Sequence, residues 1–136
     1  FISLQSYLNP TEQMQKLFMI IGFLMLGSVT IFAQEVSPEK FEELMSTGDP
    51  QIVDVRTERE FNGGHIPNAV NIDYFSDDFQ STLSQLDKDR PVLIYCYSGG
   101  RSTEARLLLN KMGYSNVTEL KGGLSEWRNA GKTVDK

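Results

Sequence analysis

The sequence lacks a second cysteine, a basic cluster and any internal repeat. Its single cysteine, Cys96, has no partner for an internal disulfide, so this thiol is either an inert core residue or a reactive one. Acidic residues number 18 against 13 basic ones, and this balance argues against a nucleic-acid partner. A length of 136 residues leaves no room for a second catalytic domain. The hydrophobic fraction of 40% is enough for one packed core.

An uncharged run covers residues 17–33 and follows Lys16. A cation before an apolar run that ends on a small residue is typical of a secretory signal peptide, and the run is also close to the minimum length of a membrane span. We therefore expect a signal peptide or an N-terminal membrane anchor at residues 14–33. Residues 1–13 are expected to lie outside the natural protein or to be disordered. Residues 34–136 are expected to form a domain in the periplasm or outside the cell, in contact with a membrane only if the anchor is uncleaved.

Helical and extended patterns alternate through the rest of the chain. Extended patterns predict strands at 52–55, 92–95 and 117–120, and a weaker one at 69–72. Apolar residues at helical spacing, with caps and glycine stops, predict helices within 37–48, 79–86, 102–113 and 124–131. This alternation predicts an α/β fold in which helices cover both faces of a parallel sheet.

Cys96 follows the most apolar of the predicted strands. Ligands of such sheets bind outside the carboxyl ends of the strands, so the loop after this strand is a candidate site. Gly99 and Gly100 allow the backbone to curl so that successive N–H groups face an anion. The helix that begins near Ser102 adds the positive end of its dipole. We expect the Cys96 thiol to ionise more readily than a free thiol.

The sequence resembles the rhodanese homology domain over about residues 35–131. The matching motifs, in chain order, are Asp54-Val55-Arg56, Glu60-Phe61, Gly64-His65-Ile66-Pro67-Asn68-Ala69, the loop from Cys96 to Arg101, and Lys121-Gly122-Gly123 with Trp127. The resemblance implies a three-layer α/β/α fold with a five-stranded parallel sheet in the order 1-5-4-2-3.

The resemblance also implies a sulfurtransferase that needs no metal and no cofactor. The Cys96 thiolate would take the outer sulfur of thiosulfate, of a polysulfide or of a persulfide donor. The resulting persulfide would then pass this sulfur to a thiophilic acceptor, either a small thiol or a protein. A carboxylate at Glu60, where some thiosulfate-cleaving members carry a cation, leaves the physiological donor open.

Candidate site residues follow from the loop and from the family motifs. Cys96 is the candidate catalytic residue. The candidate substrate-binding residues are Tyr97, Ser98, Gly99, Gly100, Arg101, Ser102 and Arg56. Asp54 and Glu60 are expected to support the site. Arg101 either binds the oxygens of the donor or fixes the loop by pairing with Glu60. His65 lies in a turn to which the family gives a structural role.

Two other functions remain open at this point. A non-catalytic sulfur carrier or protein-binding module could use the same fold. A phosphatase of the same superfamily is disfavoured, because the related phosphatases have one more residue between the cysteine and the arginine than the four between Cys96 and Arg101.

Overall fold

The computed structural model describes residues 9–24 and 34–136, which belong to two separate units. In the described part of the first unit, helix α1 spans Pro10–Leu24. It includes residues on both sides of the boundary predicted after residue 13. The rest of the predicted hydrophobic segment, residues 25–33, lies outside the described residues. Among the described helices, none is both long enough and apolar enough to cross a membrane. The signal segment, the anchor and the extracytoplasmic location stay predictions.

The second unit contains a five-stranded sheet and five helices. The strands are β1 (Glu35–Val36), β2 (Gln51–Asp54), β3 (Val70–Asn71), β4 (Val92–Tyr95) and β5 (Val117–Leu120). The helices are α2 (Pro38–Met45), α3 (Glu58–Asn62), α4 (Phe79–Leu83), α5 (Gly100–Lys111) and α6 (Gly123–Asn129). The sheet order is β1-β5-β4-β2-β3 and every pair is parallel, which confirms the order 1-5-4-2-3.

The core consists of two apolar layers, one on each face of the sheet. Successive residues of β4 alternate between them: Ile94 packs in the layer with α4 and α5, whereas Leu93 and Tyr95 pack in the layer with α2 and α6. All four residues of β4 are buried. This double burial explains why the strand is a continuous apolar run in the sequence.

Two short elements, β1 and α3, were not predicted by hydrophobic periodicity. Strand β1 has only two residues, and its pairing with β5 is what defines it. Helix α3 depends on a capping box in which Thr57 and Glu60 each satisfy the backbone N–H of the other. Periodicity detects neither kind of element, because each covers too few residues to show a repeat.

The hydroxyl of Tyr95 joins the end of β4 to the turn that contains Ile66. Tyr95 is buried, and its oxygen accepts the backbone N–H of Ile66 at 3.0 Å. The ring meets Phe41 edge to face, with 6.4 Å between the ring centroids. Burial raises the pKa of the Tyr95 phenol, so the hydroxyl stays neutral. The residue therefore fixes this turn relative to the end of the strand that precedes Cys96.

We expect Tyr95→Phe to lower the free energy of unfolding by about 1–3 kcal/mol, because the buried N–H of Ile66 loses its acceptor. Urea-induced unfolding measures the change. Tyr97→Phe removes the same hydroxyl from an exposed ring and should change the free energy by less than ~0.5 kcal/mol. Equal losses in the two variants would contradict a structural role for the Tyr95 hydroxyl.

Candidate active site

The loop between β4 and α5 turns around the sulfur of Cys96. The N–H of Gly99 donates to Cys96 Sγ at 3.1 Å, and Ser102 Oγ lies 3.4 Å from the same sulfur. Gly99 has a φ of 119°, a conformation that strains residues with a side chain and that turns the chain into α5. The loop glycines thus permit the backbone to direct an N–H group at the thiol.

The pKa of the Cys96 thiol is lowered from its usual value. Burial raises this pKa, but hydrogen bonds from the Ser102 hydroxyl and from the backbone N–H groups of Ser102, Gly99 and Ser98 lower it by more in sum. The direction agrees with the expectation from the sequence. A thiol in this environment is a better nucleophile at neutral pH than an inert core cysteine.

Access to the sulfur is narrow. Cys96 is only 1% exposed and belongs to the apolar layer under α5, whereas Tyr97 is 48% exposed. Ser98 and Gly100, which belong to the same loop, are also exposed. This arrangement favours a small reaction partner for the free thiol.

Helix α6 holds the loop from the other side. The N–H of Leu124 donates to the carbonyl of Cys96 at 2.9 Å, and the N–H of Ser125 donates to the carbonyl of Tyr97 at 3.0 Å. Gly123 makes this approach possible, because a Cβ at its position would lie 2.5 Å from the Cys96 carbonyl oxygen. The Gly122-Gly123 motif and the cysteine loop, distant in sequence, therefore form one structural unit.

Arg101 is bound to Glu60. Its two terminal nitrogens, Nη1 and Nη2, donate to the carboxylate oxygens at 2.8 and 2.9 Å. Chiefly because of this contact, the pKa of Glu60 falls to about 2. Because folding lowers the pKa of Glu60, this carboxyl stabilises the folded state at pH values above the ordinary pKa of a glutamate. The stabilisation is lost as the pH falls toward 2. This contact is the one expected if Arg101 fixes the loop, and binding of the donor by Arg101 stays a prediction.

The contacts of Arg56 do not favour the substrate-binding role predicted for it, which stays a prediction. Arg56 is 3% exposed, and its Nε and Nη2 donate to Asp54 at 2.7–3.0 Å. Nη2 also donates to the carbonyl of Gly64 at 2.8 Å. The guanidinium is therefore committed to the turn beside β2. Asp54 also accepts the backbone N–H of Arg56 at 2.9 Å.

His65 also has structural contacts. Its Nδ1 lies 3.1 Å from the carbonyl oxygen of Phe61, and its ring stacks on the Phe61 ring with 3.8 Å between centroids. Its backbone pairs with Asp135 near the end of the chain. These contacts agree with the structural role expected for this turn.

Sequence reasoning missed Glu119, a fully buried residue of β5. Its Oε1 accepts the hydroxyls of Ser102 at 2.6 Å and Thr103 at 2.9 Å. Its Oε2 accepts Nε of Arg106 at 3.0 Å. The available signal was a carboxylate inside a strand predicted to be buried, since such a charge requires partners.

Comparison with known proteins agrees with this geometry. The family described as rhodanese-like domain matches residues 37–130. The chain belongs to the rhodanese family. A thiosulfate sulfurtransferase GlpE from Shewanella oneidensis is 33% identical to this rhodanese domain over 97 residues, which cover 71% of the chain and 94% of the relative. A sulfurtransferase from Allochromatium vinosum is 37% identical over 101 residues, 74% of the chain and 92% of the relative.

A solved structure of a rhodanese-related protein from Thermoplasma volcanium has the same fold. The TM-score is 0.68 at 24% identity, and the match covers 76% of this chain and 98% of the other. Together with the sheet order, this similarity confirms the rhodanese fold that was expected from the sequence.

We expect Gly123→Ala to disrupt the cysteine loop of this rhodanese domain, because the new methyl group meets the backbone of Cys96 and Tyr97 at 2.5–2.7 Å. The rate of thiol alkylation and the rate of sulfur transfer should each change by about tenfold or more, as expected when a reacting group is misplaced. Gly131→Ala is the matched control, since Gly131 has a similar positive φ of 72° but nothing within 4 Å of a new Cβ. Equal effects in the two variants would show backbone strain rather than contact with the loop.

Proposed function

We propose that this protein is a sulfurtransferase that carries sulfur on Cys96 as a persulfide. The observation that supports this proposal best is the Gly99 N–H, which donates to a sulfur whose pKa is lowered. The same N–H groups that favour the thiolate also suit a persulfide anion, because both place negative charge on sulfur at this position.

In the first step the Cys96 thiolate attacks the outer sulfur of the donor. With thiosulfate, a bond forms between this sulfur and Sγ, the original sulfur–sulfur bond breaks, and sulfite leaves with the electron pair. In the second step an acceptor nucleophile attacks the outer sulfur of the persulfide, and the Cys96 thiolate leaves. The cycle returns the enzyme unchanged and proceeds through a covalent intermediate.

The Glu60–Arg101 pair bears on the choice of donor. The positive charge of Arg101 is matched by the carboxylate of Glu60, so the loop N–H groups carry most of the attraction for an anionic donor. A dianion such as thiosulfate has less to gain here than at a site with a free cation. Polysulfides and small persulfides, which carry less charge, are therefore included in the proposed donor class.

A phosphatase reaction is disfavoured by the same pair. A phosphatase of this superfamily would need the loop arginine for the phosphoryl oxygens, whereas Arg101 makes a two-pronged contact with Glu60. A non-catalytic docking module would not need a thiol whose pKa is lowered. The labelling experiment below separates these functions.

Thiosulfate or polysulfide treatment of the purified protein should add the mass of one sulfur atom. Cyanide should remove this mass and yield thiocyanate, because cyanide is a sulfur acceptor. Cys96→Ser should lose both the added mass and the product, since Cys96 is the sole cysteine. Intact-protein mass spectrometry measures the first result and a colorimetric thiocyanate assay the second. An unchanged mass with every donor, or turnover of an aryl phosphate that Cys96→Ser abolishes, would contradict the proposal.

Glu60→Gln should raise kcat/KM for thiosulfate by about fivefold, because it removes a carboxylate near the site and releases the charge of Arg101. Since the pKa of Glu60 is about 2, its negative charge is present at every ordinary assay pH. Steady-state kinetics with thiosulfate and with a small persulfide measure the change for each donor.

Glu58→Gln removes an exposed carboxylate from the same helix and serves as the control. It should leave both donors unaffected. A lower kcat/KM in Glu60→Gln would show that fixing Arg101 matters more than repulsion of the donor.

A further inference from the structure

Glu119 lies behind the cysteine loop and is separated from the sulfur by one side chain. That side chain is Ser102, which is fully buried. Its Oγ lies 2.6 Å from Glu119 Oε1 and 3.4 Å from Cys96 Sγ. The three residues come from β5, α5 and the end of β4, so the row exists only in the folded domain.

The Ser102 hydroxyl, which also lies 3.1 Å from the carbonyl oxygen of Gly99, has a single proton and therefore donates fully to only one of its three acceptors at a time. The distance to the carboxylate is typical of a strong, charge-assisted hydrogen bond, and the distance to the sulfur is longer. While the proton points at Glu119, the hydroxyl presents a lone pair to the sulfur. That arrangement suits an S–H group, which can donate to Oγ, and does not suit a thiolate.

We propose that Glu119 is a positioning residue for the reactive sulfur, and that it competes with the Cys96 thiolate for the Ser102 proton. This inference deepens the proposed function, because it concerns the thiol that would carry the sulfur. Glu119 thus limits how readily Cys96 ionises and keeps the sulfur basic. A more basic thiolate is also the stronger nucleophile.

Three arginines of the elements next to the cysteine loop occur in ion pairs. Arg106 pairs with Glu119 at 3.0 Å, and Arg101 pairs with Glu60 at 2.8 Å. On the β2 side, Arg56 pairs with Asp54. Each of these cations has its charge balanced by a carboxylate. The position of the Ser102 proton is therefore a separate means of altering the ionisation of the thiol.

A double-mutant cycle on Glu119 and Ser102 tests the competition. The thiolate of Cys96 is titrated by its ultraviolet absorbance, with Cys96→Ser as the tyrosine background, so the measurement needs neither sulfur transfer nor reagent access. E119Q should lower the midpoint by about one pH unit, the effect of one hydrogen bond gained by a thiolate. S102A should raise the midpoint more in the E119Q background than in the wild type.

The cycle separates the hydroxyl from simple charge. If E119Q acted only by removing a negative charge, it would lower the midpoint by the same amount with and without the Ser102 hydroxyl. Additive midpoint shifts in the cycle would therefore overturn the proposal. E119D keeps a charge for Arg106 but withdraws the carboxylate from Ser102. The same cycle with E119D tests the idea if E119Q does not fold.

Thr103→Val is the matched control. The Thr103 hydroxyl lies 2.9 Å from Glu119 Oε1 and 2.8 Å from the carbonyl oxygen of Gly99, but it makes no hydrogen bond with the sulfur. This variant should leave the midpoint within about 0.3 pH units, as for a neutral change without direct contact. A shift as large as that of E119Q would show that loop packing, rather than the Ser102 proton, controls the thiol.

The two proposals can fail separately. If persulfide labelling fails while the double-mutant cycle is non-additive, the result contradicts the proposed function but not the role of Glu119.

Discussion

The backbone of the cysteine loop is held by hydrogen bonds on two sides, and the site depends on this constraint. On one side, α6 donates N–H groups to the carbonyls of Cys96 and Tyr97. On the other, the loop donates the N–H of Gly99 to the sulfur. Carbonyls bound from outside cannot turn toward the sulfur, so the positive ends of the peptide dipoles remain available to it. The stabilisation of negative charge is therefore built into the main chain.

Because the main chain stabilises the negative charge on sulfur, the arginines near the site can form ion pairs with carboxylates instead. Three arginine–carboxylate pairs surround the loop: Arg56–Asp54, Arg101–Glu60 and Arg106–Glu119. Removing such groups from water costs free energy that their attraction roughly recovers, so their main effect is to fix positions. Arg101–Glu60 joins the start of α5 to α3, Arg106–Glu119 joins α5 to β5, and Arg56–Asp54 fixes the turn after β2. The sulfur thus experiences balanced side-chain charges and oriented peptide groups.

Much of the fold followed from the sequence, because strands buried on both faces are continuous apolar runs and helices show their own period. The order of the strands came from the family motifs. The burial of Arg56 was not predicted, because a motif at the end of a strand shows the type of a residue but not its partners. The acceptor that completes its contacts, the carbonyl of Gly64, comes from a separate turn. Glu119 was missed because its partners lie on α5 and do not follow from the pattern of β5.

The burial of Cys96 has different consequences for the two proposed half-reactions. The free thiol is 1% exposed, so only a small donor reaches it without displacing the loop. In a persulfide the reactive atom is the outer sulfur, which lies about 2 Å beyond Sγ. Tyr97 and Ser98, which directly follow Cys96, are exposed, so an outer sulfur directed past them would be within reach of an acceptor. An acceptor therefore meets less protein than a donor does. Burial of the thiol thus restricts the size of the donor more than that of the acceptor, and a protein thiol remains within the class of acceptors that this site can serve.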